Sequence, residues 1–295
     1  MISRSTAKGW CVVPRPKSQI ISALFFTTYD FAVLKMGMGC LLDRIAVIAT
    51  YLAELVRHGI PVSVGPVEHE VVFILDGVGG FQFVPLMVRR ALRENGVAIG
   101  TIAHRWQFGL PGELWTDLMW HRRNRVMAAR LARRILAFRR DHPGAVIHIL
   151  GHSGGAAIAV WACEFLRGRG GVMTLVLLGP ALSPTYDLRR ALRSVQRCYA
   201  LVSRRDRWML GVGTRIFGTM DRRFCSAAGR VGFRPPTALS SEDRSAYDRL
   251  REIHWTPLLE SDGHHGGHTG WARVSFLRRH LLPILHGEPA LNPIP

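Results

Sequence analysis

From Glu70 onward, short runs of apolar residues alternate with longer stretches in which apolar positions recur every three or four residues. The runs are continuous and rich in β-branched residues, which is typical of parallel strands buried on both faces. We predict strands over Val71–Leu75, Val97–Ile102, Val146–Leu150, Val172–Leu178, Cys198–Val202 and, more weakly, Ile253–Leu259.

The stretches between these runs have the periodicity of amphipathic helices. In the longest, Trp115–Arg140, Leu131 and Ile135 fall on one face while Arg125 and Arg133 fall on the other. Further helices are predicted over Phe83–Asn95, Gly155–Arg167, Leu188–Gln196, Ser241–Glu252 and Trp271–Leu285. This alternation predicts an α/β fold with a mostly parallel sheet, helices on both of its faces, and any active site at the carboxyl ends of the strands.

The segment before Glu70 has a different pattern, because helical periodicity dominates and Pro61–Val64 is a short candidate strand. Apolar residues recur at Leu41, Ile45, Ile48, Leu52 and Leu55. We therefore expect a helical N-terminal segment over residues 1–65, an α/β domain over 66–287 and a tail over 288–295. Charged residues interrupt this N-terminal apolar stretch, so no transmembrane span is predicted. A peripheral contact with a membrane is an alternative that the sequence leaves open.

Composition and charge narrow the function classes. The chain has 295 residues, 48% of them hydrophobic, which excludes a disordered protein, and a formal net charge of +18 that suggests an anionic partner. Only Lys8, Lys17 and Lys35 of the 39 basic residues are lysine, and the arginines are spread along the whole chain. Because no nucleic-acid module accompanies this charge, nucleic acid is not the expected partner. The oligomeric state is left open.

The cysteines indicate a reducing compartment. There are five, widely spaced and without a C-x-x-C pair, so neither a disulfide framework nor a thiolate metal site is expected. An apolar stretch at Ile20–Phe26 follows basic residues, yet no small-residue cleavage site comes after it. A cytoplasmic location is the resulting expectation.

One motif carries chemistry. The strand ending at Leu150 runs into Gly151-His152-Ser153-Gly154-Gly155 and then into a helix of small residues. This is G-x-S-x-G at a strand-to-helix turn, where a serine in strained backbone exposes its Oγ and the glycines prevent steric collisions. The helix N-terminus behind the serine favours an anionic intermediate.

The strand, turn and helix around Ser153 resemble the nucleophile region of the α/β-hydrolase superfamily, and the similarity extends over about residues 70–286. The resemblance implies an acid after the second strand beyond the nucleophile, where Asp206 stands among Arg204, Arg205 and Arg207. Those arginines raise the question of whether salt bridges occupy the carboxylate.

The resemblance also implies a histidine after the last strand, where the loop Gly263–Gly270 holds three. Its position just before the final helix favours His268, followed by His265 and then His264. The order nucleophile, acid, base is that of the superfamily. The histidines lack the acidic or thiol partners of a metal site, so no metal is expected.

The resemblance further implies an oxyanion hole made of two backbone N–H groups. One would belong to Gly154, and the other to the loop after Val71–Leu75, where Val78 is the first choice and Gly77 or Gly79 are alternatives. Asp76 stands where the family often has histidine. The loop lacks the spacing of a phosphate-binding motif, so nucleotide binding is the weaker interpretation.

These residues lead to one functional hypothesis and one rival. The hypothesis is a serine esterase or lipase-like hydrolase that cleaves a small-molecule acyl substrate through Ser153, Asp206 and His268, without a cofactor. The rival is a non-catalytic α/β-hydrolase-like protein that binds a ligand or docks on a membrane. The substrate pocket is expected from Arg105–Trp120 and Trp208–Pro236, which are rich in aromatic residues.

Overall fold

A seven-stranded sheet forms the centre of the molecule. The computed structural model of the protein describes residues 38–58, 63–65, 69–108 and 114–288. Its strands are β1 (Ser63–Val64), β2 (Glu70–Leu75), β3 (Gly100–Ala103), β4 (Val146–His152), β5 (Val172–Leu178), β6 (Val195–Val202) and β7 (Leu250–His254). They lie in the order β1-β3-β2-β4-β5-β6-β7, with β1 antiparallel to β3 and every other pair parallel.

Helices connect the strands. They are α1 (Met38–His58), α2 (Phe83–Glu94), α3 (Leu114–Met119), α4 (His121–Asp141), α5 (Gly154–Leu166), α6 (Arg189–Leu192), α7 (Thr214–Phe217), α8 (Ala228–Val231), α9 (Ser241–Tyr247) and α10 (Val274–His286). A π-helical turn covers Trp208–Gly213, and 3-10 turns cover Pro257–Asp262 and Gly270–Ala272.

Two hydrophobic cores lie on opposite faces of the sheet. Val71 and Phe73 of β2 face the core shared with α4 and α5, while Val72 and Ile74 face the core shared with α2 and α10. Helix α5 is apolar apart from Glu164 and almost entirely buried, as a helix between the sheet and α4 must be. The predicted α/β class, with a mostly parallel sheet and helices on both faces, is confirmed.

Several predicted boundaries are wrong. The helix predicted over Trp115–Arg140 is divided at Trp120 into α3 and α4, and Arg125 pairs with Glu164 of α5 at 2.7 Å instead of pointing into solvent. The helix predicted over Leu188–Gln196 is the single turn α6, because the residues after it already belong to β6.

The last strand is also displaced from its predicted place. The helix predicted over Ser241–Glu252 ends at Tyr247, and β7 covers Leu250–His254 instead of Ile253–Leu259. Pro257 then begins a 3-10 turn, because proline has no N–H to donate to a sheet. β7 is an edge strand with mostly polar residues, so it lacks the apolar run that identifies the central strands.

Residues Met38–His58 form helix α1, but the packed face predicted for this stretch is wrong. Ile45, Ile48 and Leu52 are exposed, whereas Asp43 and Glu54 are buried. Ion pairs explain the orientation, since Glu54 contacts Arg93 of α2 at 3.2 Å and Asp43 contacts the loop before α10.

Parts of the predicted division lie outside the described residues. The structure does not describe residues 1–37, which include the Ile20–Phe26 stretch, or residues 289–295 of the predicted tail. In the part of the chain that is described, no helix combines the length and apolar character needed to cross a membrane.

Candidate active site

Ser153 occupies a sharp turn between β4 and α5. Its backbone has φ 53° and ψ −118°, a conformation that L-residues rarely adopt. The flanking glycines are required by space, since a Cβ on Gly155 would lie 2.3 Å from the carbonyl oxygen of Asp76 and one on Gly151 would lie 2.7 Å from the Cα of Ala156. The serine stands at the carboxyl end of the central strand, where the sequence places it.

Asp206 and His268 meet at the same edge of the sheet. Asp206 follows β6 and His268 lies between β7 and α10, and parallel strands bring their carboxyl ends together. His268 Nδ1 lies 2.5 Å from Asp206 Oδ2, and both side chains are buried. The other carboxylate oxygen accepts a hydrogen bond from Leu210 N–H at 3.3 Å. Because the carboxylate accepts from Nδ1–H, Nε2 of the neutral ring is free to take a proton.

The arginines beside Asp206 do not occupy its carboxylate. Arg205 pairs with Glu260 at 2.7 Å and lies over the ring of Trp255 at 4.3 Å. Among the described residues, no arginine forms an ion pair with Asp206. The carboxylate is therefore available to the imidazole.

The other two histidines of the loop have different partners. His264 is fully buried, accepts a hydrogen bond from Gly266 N–H at 2.9 Å and meets Trp271 edge-on. Burial, followed by the positive charges around it, holds the pKa of His264 well below its usual value. His265 Nδ1 lies 2.8 Å from Asp43 Oδ1 of α1. His268 is thus the histidine that the fold brings to Asp206.

His152 is a site neighbour that the sequence analysis missed. Its ring lies 4.8 Å from that of His268, and its Nε2–H donates to the carbonyl oxygen of His268 at 3.3 Å. Burial lowers the pKa of His152 to about 3, so the ring is neutral at physiological pH. Its place in the motif, directly before Ser153, was the available signal, but the direction of the side chain depends on the turn.

The loop after β2 lies against the serine turn, and its three candidate N–H donors differ in whether they already have an acceptor. Gly77 N–H donates to Asp76 Oδ1 at 2.8 Å, and Gly79 N–H donates to Asp117 Oδ2 at 2.9 Å. Within the described residues, Val78 N–H has no acceptor. Val78 also packs towards the helix start, since a Cβ on Gly154 would lie 2.9 Å from its Cγ1. Of the three candidates in this loop, Val78 is the one whose N–H has no acceptor among the described residues.

Side chains from distant segments hold this loop. Trp106 Nε1–H donates to the carbonyl of Asp76 at 2.8 Å, and Gln107 Nε2–H donates to that of Gly77 at 2.7 Å. The Asp76 carboxylate also accepts from Phe83 N–H at 2.5 Å. Burial raises the pKa of Asp76 to about 6, against these hydrogen bonds. Asp76, noted in the sequence as a departure, therefore shapes the loop from within.

The aromatic residues of the predicted pocket segments differ in exposure, and Trp208, Phe217 and Phe224 are half-buried. Trp106 is fully buried and approaches Gly154, whereas Phe108 and Trp120 are exposed and stack at 6.1 Å.

Among the described residues, no group of three histidine, cysteine or acidic side chains is arranged to hold a metal ion.

Comparisons with known proteins found no matching family model and no matching curated protein. Solved structures do resemble the chain. A cutinase-like protein from Cryptococcus sp. is 14% identical over 75% of this chain and 97% of its own, with a TM-score of 0.40. A poly(3-hydroxybutyrate) depolymerase from Bordetella parapertussis is 14% identical, covering 72% and 79%, with a TM-score of 0.41. A Pyrobaculum calidifontis esterase is 13% identical, covering 89% and 99%, with a TM-score of 0.39. Likenesses this distant transfer no activity to this chain.

Proposed function

We propose that this chain, which has the α/β-hydrolase fold, is a serine hydrolase that cleaves an ester or related acyl bond. The observation that carries the proposal is the His268–Asp206 pair at 2.5 Å, placed at the sheet edge where the strained turn presents Ser153. A buried carboxylate on the Nδ1 of a histidine is the arrangement that makes imidazole a base towards a serine hydroxyl.

The reaction would proceed through an acyl-enzyme. Ser153 Oγ attacks the acyl carbon while His268 Nε2 takes its proton, and the proton then passes to the leaving group as the scissile bond breaks. Water attacks the acyl-serine in the second step, with His268 again as base. Asp206 holds the ring in the required tautomer and stabilises the imidazolium in both steps.

The negative charge of the tetrahedral intermediate needs two donors. Val78 N–H and Gly154 N–H are our candidates, because both belong to segments in contact at Gly154 and Val78 N–H has no acceptor among the described residues. Each such donor contributes about 3 kcal/mol of transition-state stabilisation in enzymes where one has been removed.

Labelling with a fluorophosphonate probe tests the proposal. We expect labelling of the wild-type protein at Ser153 and none in Ser153→Ala, while Ser245→Ala, a change at an exposed helical serine, labels like the wild type. Hydrolysis of p-nitrophenyl butyrate should follow the same pattern. A folded wild-type protein that neither labels nor hydrolyses esters would refute the proposal and favour a non-catalytic binding role.

A further inference from the structure

The loop that carries His268 reaches the serine turn from the far edge of the sheet. It follows the edge strand β7, whereas Ser153 follows β4, and the order β4-β5-β6-β7 places two strands between them. The loop must therefore cross the carboxyl ends of these strands before His268 meets the turn. Because proton transfer requires a well-aligned base, such a loop needs contacts that fix its main chain.

Three side chains donate hydrogen bonds to alternate carbonyl groups of this loop. From donor to acceptor oxygen, the pairs are Trp255 to His264 at 2.8 Å, Ser203 to Gly266 at 2.7 Å and His152 to His268 at 3.3 Å. The first donor directly follows β7, the second directly follows β6, and the third is the last residue of β4. Of the three hydrogen bonds, the one from His152 connects the loop to the strand that presents Ser153.

The opposite side of the His152 ring lies against the loop after β2, which holds the candidate oxyanion donors. A Cβ on Gly77 would lie 3.3 Å from His152 Nδ1 and 3.4 Å from Ser153 Cβ. His152 Nδ1 lies 3.9 Å from Asp76 Oδ1, which is too far for a hydrogen bond, and it has no hydrogen-bond partner among the described residues. The ring is thus enclosed between this loop and the loop of His268.

These contacts require one tautomer of His152. A carbonyl oxygen only accepts hydrogen bonds, so Nε2 must carry the proton and Nδ1 of the neutral ring must not. Burial, with the positive charge that His268 can carry acting in the same direction, lowers the pKa of His152 to about 3. The two rings lie 4.8 Å apart, so a neutral His152 avoids repulsion when His268 becomes an imidazolium in the reaction.

We propose that His152 is a positioning residue that fixes the main chain at His268 relative to Ser153 and to the loop after β2. The inference rests on the proposed function. His152 transfers no proton itself, since its Nε2–H is bonded to the carbonyl of His268 and its Nδ1 faces Asp76. Its N–H instead holds the backbone from which the imidazole of His268 reaches the serine hydroxyl.

Two substitutions of nearly equal length test this role. His152→Met removes the N–H donor, whereas His152→Gln replaces it by an amide N–H at the end of an unbranched side chain. We expect kcat for p-nitrophenyl butyrate to fall roughly 10- to 100-fold in His152→Met, because a small displacement of the base is enough for such a loss. KM should stay within about twofold of the wild-type value, since His152 holds the base and does not bind the substrate. His152→Gln should recover most of the lost kcat.

His148→Met is the matched control, because it makes the same change at another buried histidine of β4. His148 lies four residues before His152, roughly 13 Å away along the strand, and its Nε2 contacts Glu70 at 2.9 Å. It should leave kcat within about twofold of the wild type, since distant sites act independently. A wild-type kcat in His152→Met, or equal losses in His152→Met and His152→Gln, would overturn the positioning role.

The tautomer of His152 supplies a measurement on the wild-type protein that needs no folded variant. In nitrogen NMR spectra of protein with isotope-labelled histidine, we expect the ring to be neutral at neutral pH with its proton on Nε2. The Nδ1–H tautomer would refute the inference, because Nε2 could then not donate to the carbonyl of His268.

The outcomes separate this inference from the proposed function. If the wild-type protein hydrolyses esters, Ser153→Ala does not and His152→Met matches the wild type, the positioning role alone is refuted. A folded wild-type protein that neither labels with fluorophosphonate nor hydrolyses esters refutes the proposed function, and the positioning role with it.

Discussion

The glycines around Ser153 show how closely single residues constrain the site. Gly155 allows the helix to start against β2, because its missing Cβ would otherwise lie 2.3 Å from one carbonyl oxygen and 2.7 Å from another. These are backbone atoms and cannot move aside as a flexible side chain can. The G-x-S-x-G spacing is therefore a packing requirement of the strand–helix junction as well as the motif on which the proposed function rests.

The close approach of backbone atoms to Gly155 predicts a large loss of stability in Gly155→Ala. We expect the substitution to destabilise the fold by about 3 kcal/mol or more through overpacking. Gly144→Ala is the matched control, because nothing lies within 4 Å of its added Cβ. Urea unfolding of both variants checks the prediction, and equal midpoints would contradict it.

The carboxylate of Asp206 allows a second prediction at the residue scale. In Asp206→Asn the side chain can still bond to Nδ1 of His268, but it no longer stabilises the imidazolium and favours the wrong tautomer. We expect kcat for ester hydrolysis to fall by roughly 10³- to 10⁴-fold, with unfolding little changed. Asp248→Asn, at an exposed position, is the control and should keep the wild-type kcat. If kcat of Asp206→Asn fell by less than about tenfold, Asp206 would not be a member of the triad.

At the scale of elements, helix α1 is joined to the loop that carries His268. Asp43 is buried, and its carboxylate accepts from His265 N–H at 2.9 Å and contacts His265 Nδ1 at 2.8 Å. Burial raises the pKa of Asp43, with His265 opposing the shift. We infer that α1 stabilises the histidine loop from outside the active site.

Asp43→Ala tests this connection. Loss of two hydrogen bonds to a buried carboxylate should lower the free energy of unfolding by about 2 kcal/mol. Ile48→Ala, on the exposed face of the same helix, should change it by less than about 0.5 kcal/mol. If Ile48→Ala were the more damaging of the two, the helix would pack on the face that its apolar spacing predicts, and the structural orientation would be wrong.

How much of the fold can be predicted from the sequence depends on whether the signal is local. The central strands and α5 are mostly apolar, so their type follows largely from hydrophobicity. β7 is a polar edge strand, and α1 is oriented by ion pairs to distant residues such as Arg93. A polar edge strand has no apolar run, which is why the predicted position of β7 was wrong. Ion pairs to distant residues leave no periodic pattern, which is why the predicted face of α1 was wrong.

The same distinction applies to the site. The turn at Ser153 is specified within five consecutive residues, and the family resemblance points to the loop of Asp206. What distinguishes His264, His265 and His268 is the distant residue that each one contacts. Asp43 lies 222 positions from His265 in the sequence, and Asp206 lies 62 positions from His268. Position before the last helix favours His268, but only the folded chain shows which carboxylate each histidine meets.

At the scale of the whole molecule, buried histidines couple stability to pH. Burial lowers the pKa of His152 to about 3 and that of His104 to about 4, and it holds the pKa of His264 well below its usual value. The unfolded chain binds protons at these residues below about pH 6.5, whereas the folded chain does not. Their contribution to stability is therefore full above pH 6.5 and is lost as the pH falls towards their folded values.

Two buried carboxylates act in the opposite sense. Asp76, with a pKa of about 6, holds a proton in the folded state that the unfolded chain releases, so its contribution grows as the pH falls through 6, and the raised pKa of Asp43 acts in the same direction. His152 and His104 each cost up to about 2 kcal/mol between pH 6.5 and 5, while Asp76 offsets about 1 kcal/mol because its shift spans only part of that interval. The histidines dominate, and the free energy of unfolding should be lower at pH 5 than at pH 7.5.

His104→Leu isolates one part of this dependence. His104 is buried and its Nε2 has no hydrogen-bond partner among the described residues, so the hydrogen bond that leucine would lose is the one to the backbone of Met127. We expect the variant to reduce the difference in unfolding free energy between pH 7.5 and pH 5 by about 2 kcal/mol, measured by urea titration at both pH values. The same pH difference in the variant and the wild type would show that His104 is protonated in the folded state and that its burial does not drive the loss of stability in acid.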